Sequence, residues 1–175
     1  MICLRDMNKS DIEDYVRWFT EEKEWMDFDA PWEPCGGTAE EERQSWTEYF
    51  EAVRDMPEDA PRRKFEIELD GRHIGWVCCY HDLDYLDNPD KIPAVGIDIP
   101  ETNARGVGAG TEALRQFILY LKERGATRVY TQTWSGNTRM MRVAEKLGFK
   151  EICRLKDHRT VGGRKYDAIT MELEP

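Results

Sequence analysis

At 175 residues the chain has the length of one domain with a real core. It carries 35 acidic against 25 basic residues, a formal net charge of −10, which argues against a nucleic-acid partner because such partners need a basic face. No run approaches the roughly 18 apolar residues of a membrane span. MICLRDMNKSD lacks the layout of a secretory signal, and the five cysteines (Cys3, Cys35, Cys78, Cys79, Cys153) follow no metal-binding spacing. A cytoplasmic protein with most of its thiols reduced and packed in the core is expected, with no metal and no membrane contact.

Residues 1–7 read as an edge strand. Ser10 or Asp11 caps an amphipathic helix to about residue 22, with Ile12, Tyr15, Val16 and Phe19 on its apolar stripe. WMDFDAPWEPCGG, aromatic, acidic and broken by Pro and Gly, reads as a loop of the kind that lines a site. Thr38 opens a second helix to about residue 54, with Glu41 completing a capping box. Strands at 65–69 and 74–81 join through Asp70-Gly71 as a hairpin, and a loop with Asp82, Asp84, Asp87 and Asp90 follows.

The stretch AVGIDIPETNARGVGAGT, residues 94–111, is the most informative in the chain. A strand over 95–99 stops at Pro100, and RGVGAG leads into a helix over 107–124 that Gly125 ends. Glycines at 106, 108 and 110 let several backbone N–H groups converge on one point, toward which the helix also turns its positive end. That is a cradle for an anion, with phosphate the best fit. A strand over 129–133, a helix over 137–146, a strand through Leu155 and a final strand over 166–173 complete the order βααβββαβαββ, a mixed α/β sheet flanked by helices in a single domain over 1–175.

RGVGAGTEAL, between a strand and a helix, resembles the acyl-CoA pyrophosphate loop of the GNAT superfamily of N-acetyltransferases: Arg105, Gly108 and Gly110 satisfy its Arg/Gln-x-x-Gly-x-Gly/Ala pattern. NTRMMRVAEKLGF, residues 137–149, is similar to the family's later helix and lies at its usual separation from the first block. The resemblance covers nearly the whole chain. It implies a GNAT fold with a splayed central sheet, acetyl-CoA as cosubstrate, and direct acetyl transfer to an amine. The backbone from Gly106 through Val107, Gly108, Ala109 and Gly110 to Thr111 would hold the pyrophosphate. The strand edge at Ile97 and Ile99 would pair with pantetheine, and Asn137 and Met140 would line its arm. Relatives commonly form homodimers, and the C-terminal strands suit such a contact.

The tyrosine that many members place seven residues after the asparagine, to protonate the leaving thiolate, is here Ala144. For the base that frees the amine, Asp98 is the first candidate, since GID resembles the aminoglycoside-modifying branch; His81 is second and Glu33 a weaker third. Trp25, Phe28, Trp32 and Trp134 offer an aromatic wall, and the surrounding acids favour a small cationic amine. Of these, Trp32, Glu33 and Trp134 are the expected acceptor contacts. A peptide or protein N-terminus is the nearest alternative, and a non-catalytic acyl-CoA sensor of the same fold is the other.

Overall fold

The computed structural model describes residues 1–33 and 36–174. Along the chain run β1 (Ile2–Arg5), α1 (Asp11–Thr20), a 3-10 turn at Lys23–Asp27, α2 (Ala39–Val53), β2 (Lys64–Leu69), β3 (Arg72–Tyr80) and β4 (Ala94–Asp98). A second 3-10 turn at Thr102–Ala104 precedes α3 (Ala109–Glu123), β5 (Val129–Trp134), α4 (Thr138–Leu147), β6 (Lys150–Val161) and β7 (Arg164–Leu173). The order of strands and α-helices matches the sequence patterns.

The boundaries differ where backbone handedness overrides pattern. Gly106 at φ 77° and Gly108 at φ 90° are left-handed, so α3 starts at Ala109 and not at residue 107. β6 runs past Leu155 to Val161, because Asp157 at φ 55° marks a bulge that breaks the alternation before pairing resumes at Arg159↔Tyr166. At the start of α1 the Ser10 side chain caps nothing; Asp11 accepts the Asn8 N–H at 2.7 Å and a two-pronged hold from Arg5 at 2.7 and 2.9 Å. The Thr38–Glu41 capping box of α2 forms as the sequence implies.

The sheet is seven-stranded, in the order β1-β2-β3-β4-β5-β7-β6. Its middle is the parallel contact of β4 with β5, and that contact is short: the register holds only at Ala94↔Tyr130. The Tyr130 N–H donates to the Pro93 carbonyl at 2.9 Å and the Thr131 hydroxyl to the Val95 carbonyl at 2.9 Å. Beyond this point the strands part, and the edges of residues 96–98 and 132–134 face a cleft.

Both faces of the sheet are covered, which sorts alternate strand residues into two cores. On one face Ile67, Val77 and Val95 pack against Leu114, Phe117 and Ile118 of α3 and Ala144 of α4. On the other, Trp76 packs with Tyr15, Val16 and Trp18 of α1 and with Trp25, and Trp46 and Tyr49 of α2 close over them. A polar network is sealed between α1 and the sheet. Glu66, 1% exposed, accepts the Tyr15 hydroxyl at 2.6 Å and faces His73 Nε2 at 3.0 Å, while His73 Nδ1 faces Asp14 at 3.1 Å. Burial pulls the His73 pKa down, but hydrogen bonds to Asp14 and Glu66 outweigh it and raise the pKa to about 9. Asp11, Asp14 and His73 cluster closely enough to hold a cation, yet both ring nitrogens of His73 already face carboxylates and the ring is protonated at neutral pH.

The cysteines meet expectation in part: Cys78 and Cys79 pack, half-buried, against the two cores, whereas Cys153 is half-buried outside them and Cys3 is exposed at the sheet edge, all as free thiols; Cys35 lies outside the described residues. Burial, then the nearby Asp98, pushes the Cys78 thiol up to about 12. Among the described residues no helix is long and apolar enough to cross a membrane.

Candidate active site

Where β4 and β5 part, two cavities open and meet. The first, about 430 Å³, lies between the end of β4, the glycine loop and α4. Its floor is the free edge at Ile97, Asp98 and Ile99, and its far wall carries Arg139, Arg142 and Lys146 of α4. Gly106 and Gly108 line it with left-handed backbone, and a Cβ added at either would meet no atom within 4 Å, so the space above the loop is open. Among the described residues the N–H groups of 106–111 make no main-chain hydrogen bond outside the helix, and those of Gly108 to Thr111, at the start of α3, have no partner within it; the ladder begins with Glu112 donating to the Gly108 carbonyl at 3.1 Å. Gly110 sits flush against the methyls of Ile99 and Ile97, 3.4 and 3.5 Å from an added Cβ.

Free N–H groups at a helix start, an unpaired strand edge and a bank of cations make a donor set for a long ligand with a peptide-like arm and phosphates. Coenzyme A fits it. Arg105 has a supporting part: its guanidinium donates to the carbonyls of Ile99 and Pro100, both at 2.7 Å, and reaches Glu24 at 3.1 Å, so it ties the loop to the end of β4. Val107, 67% exposed, and Ala109, buried in the helix, do not line the cavity. Asn137 caps α4 by accepting the Met140 N–H at 3.0 Å, and both residues line both cavities.

The second cavity, about 320 Å³, is walled by Trp32, Tyr80, Tyr85 and Trp134 and carries Asp29, Glu33, Asp82 and Asp84 against a single cation, Arg159. Arg159 stacks 4.3 Å over the Trp32 ring and pairs with Asp84 at 2.9 Å. Four carboxylates facing one engaged guanidinium leave the cavity electronegative, with aromatic faces available to a cation. The aromatic wall expected from sequence is divided: Trp32 and Trp134 stand here, Trp25 and Phe28 on the cofactor side.

Asp98, half-buried, opens into the cofactor-side cavity. Burial raises its pKa well above the ordinary carboxylate range, the charge of Asp29 adds to that, and Lys64 partly offsets it. Asp29 lines both cavities and so stands at their junction. Drawing its carboxyl into the cavity raises its pKa too, with Glu33 adding. The structure thus brings Asp98 and Glu33 to the cleft but not His81. His81 lies just past β3, between Tyr80 and Asp82 of the second cavity, and lines neither cavity; from Trp76, the partner of Asp98, it is five residues along, about 17 Å at ~3.4 Å per residue. Sequence reasoning missed Asp29 as a site residue. The only signal was its place in the aromatic loop, where it looked like any of several surface acids.

The model of the Acetyltransferase (GNAT) domain matches residues 1–150. Among solved structures the chain is similar to an N-acetyltransferase from Staphylococcus aureus, at 18% identity over 99% of this chain and 98% of that one, with a TM-score of 0.71. A ribosomal-protein-alanine N-acetyltransferase from Brucella melitensis gives 19% identity, 99% of both chains and 0.70. A ribosomal L7/L12 alpha-N-protein acetyltransferase in complex with coenzyme A gives 16%, 99% and 93%, and 0.75. At such identities the likeness is one of fold, and the domain match, which spans most of the chain, decides the family. With the glycine cradle, the parted strands and that match in agreement, the chain belongs to the GNAT family of acetyl-CoA-dependent acetyltransferases.

Proposed function

We propose that the protein, a single N-acetyltransferase domain, moves an acetyl group by direct transfer to a primary amine of a small cationic acceptor. The observation that carries this reading is the electronegative, aromatic-walled second cavity, joined to the cofactor cavity at Asp29, Asn137 and Met140. An amine entering there approaches the junction past Asp82, Asp84 and Glu33.

When bound, acetyl-CoA supplies an acetyl group on a thioester. The chain's part is to hold the phosphates on the N–H groups of the glycine loop, to orient the pantetheine arm along Ile97 and Ile99, and to take up the proton the amine loses. A free alkylammonium of pKa about 10.4 costs about 4–5 kcal/mol to deprotonate at neutral pH, so a carboxylate at the junction matters. Two are available, Asp98 and Asp29.

A peptide or protein N-terminus is the second reading, favoured by the names of the two ribosomal-protein acetyltransferases among the structural neighbours. The test is the KM for matched acceptors differing only in charge. Cationic amines bind more tightly than neutral isosteres, the difference shrinks with salt, and Asp84→Asn with Asp82→Asn shrinks it further. Equal KM values for charged and neutral acceptors overturn the electrostatic reading.

A further inference from the structure

The two carboxyls of the cleft differ in position. Asp98 lies on the free edge of β4 and opens only to the cofactor side, while Asp29 opens to both cavities. Asp29 is also held in place: Trp134 Nε1, on the opposite strand, donates to the carbonyls of Phe28 at 2.9 Å and Asp29 at 3.1 Å. Few other groups on the cofactor side could give a proton to a departing sulfur. Among the described residues lining that cavity there is no Tyr, Ser, Cys or His. The Thr111 hydroxyl is too weak an acid, arginines do not give up their protons, and Lys146 lies nine residues beyond Asn137, about 13 Å along the helix at ~1.5 Å per residue. Ala144 is fully buried and carries no acid group.

We propose that the two carboxyls divide the proton work: Asp29 takes the proton that the amine nitrogen loses, and Asp98 gives its own proton to the sulfur that leaves. This rests on the amine-acetylation reading above. The acceptor reacts as the neutral amine, its ammonium proton having passed through Asp29 to water. As the N–C bond forms and the C–S bond breaks, the electron pair leaves on sulfur and Asp98 protonates it. Of the two protons then on nitrogen the amide keeps one and the other goes to Asp29, and its passage from Asp29 to Asp98 restores the pair.

The charges around the two groups suit this division. Asp98 is faced by Asp29, by Lys64 of β2 and by the Cys78 thiol of β3; Asp29 is faced by Glu33. Burial and the neighbouring anion keep a proton on Asp98 to higher pH, and Asp29, with access to solvent, ionises first. Turnover therefore rises as pH climbs through the Asp29 pKa and falls as it climbs through that of Asp98.

The test has two arms. In thiol-release assays Asp29→Asn lowers kcat by about 10²-fold or more, and a weakly basic aromatic amine, already neutral, recovers most of the loss. Asp98→Asn lowers kcat by a similar factor, is not rescued by that amine, and loses the alkaline fall of the pH profile. In the free protein, the Asp98 side-chain carboxyl followed by ¹³C NMR titrates well above the ordinary range and moves down in Asp29→Asn. An Asp98 that titrates near pH 4, or a working enzyme indifferent to Asp29→Asn, overturns the division. Wild-type protein that releases no thiol with any amine overturns the acetylation reading instead, while the NMR arm still reads the pair.

Discussion

The indole N–H of Trp134 donates to the main-chain carbonyl of Asp29 at 3.1 Å and so pins the acid-bearing loop to the strand across the cleft. The same N–H reaches Phe28 at 2.9 Å, and the ring meets Trp32 edge-on at 5.8 Å. Trp134→Phe keeps an aromatic ring but frees both carbonyls. It should destabilise the protein by about 1–2 kcal/mol and raise the KM for the acceptor several-fold. Affinity for coenzyme A, measured by calorimetry, should change less than the acceptor KM, because Trp134 lines the second cavity and not the cofactor-side one.

Two glycines test different claims. At Gly108 an added Cβ meets no atom, so Gly108→Ala costs only the left-handed backbone, about 1–2 kcal/mol. Its main effect is weaker coenzyme A binding as the cradle relaxes. At Gly75 the added Cβ falls 2.0 Å from the Asp98 carbonyl oxygen, so β4 must move. Gly75→Ala should cost about 3 kcal/mol and depress kcat by displacing Asp98. Thermal melts set against coenzyme A titrations separate the two.

The buried His73 gives the fold an alkaline weakness. Its folded pKa of about 9 stands above the ordinary 6.5, so its contribution is complete below about pH 6.5 and is lost as pH rises through 9. The size is roughly 3 kcal/mol at about 1.4 kcal/mol per unit. Stability measured by urea melts should fall between pH 7 and 10 in the wild type. His73→Gln should be less stable at neutral pH and show a flatter curve.

Lys64 fills a cage of rings, 4.2 Å from the centre of Tyr15, 4.4 Å from Trp46 and 4.9 Å from Tyr49, and lies 3.3 Å from Glu66. It ties the sheet to Trp46 and Tyr49 of α2 in this core. Burial lowers its pKa, though Glu66 works against that. Lys64→Met should cost about 3 kcal/mol and loosen α2, read as faster hydrogen exchange across residues 39–53.

The glycine block was legible because left-handed backbone leaves its mark in residue type: Gly106 and Gly108 are required by φ angles that other residues resist. The element order was legible for a similar reason, since Pro100, Asp70-Gly71, Gly125 and Thr38 punctuate the chain chemically. The His73–Glu66–Lys64 network was not. Alternation in β2 turns Lys64 and Glu66 away from Ile67, and nothing local says that α1 and α2 cover that face as well. Asp29 and Trp134 were separable only in three dimensions, being 105 residues apart in sequence and joined by a hydrogen bond. His81 was ambiguous for the converse reason: it sits between Tyr80 and Asp82, which line the acceptor cavity, and residue type alone does not say that His81 is absent from that lining.

The most direct measurement is thiol release from acetyl-CoA against a panel of diamines, aminosugars, short peptides and neutral amine isosteres, with the acetylated product identified by mass. One acetyl should be added per thiol released, with cationic small amines preferred and the preference weakened by salt. Thiol release that proceeds equally well with neutral acceptors, or none with any amine despite tight acetyl-CoA binding, would contradict the proposed function.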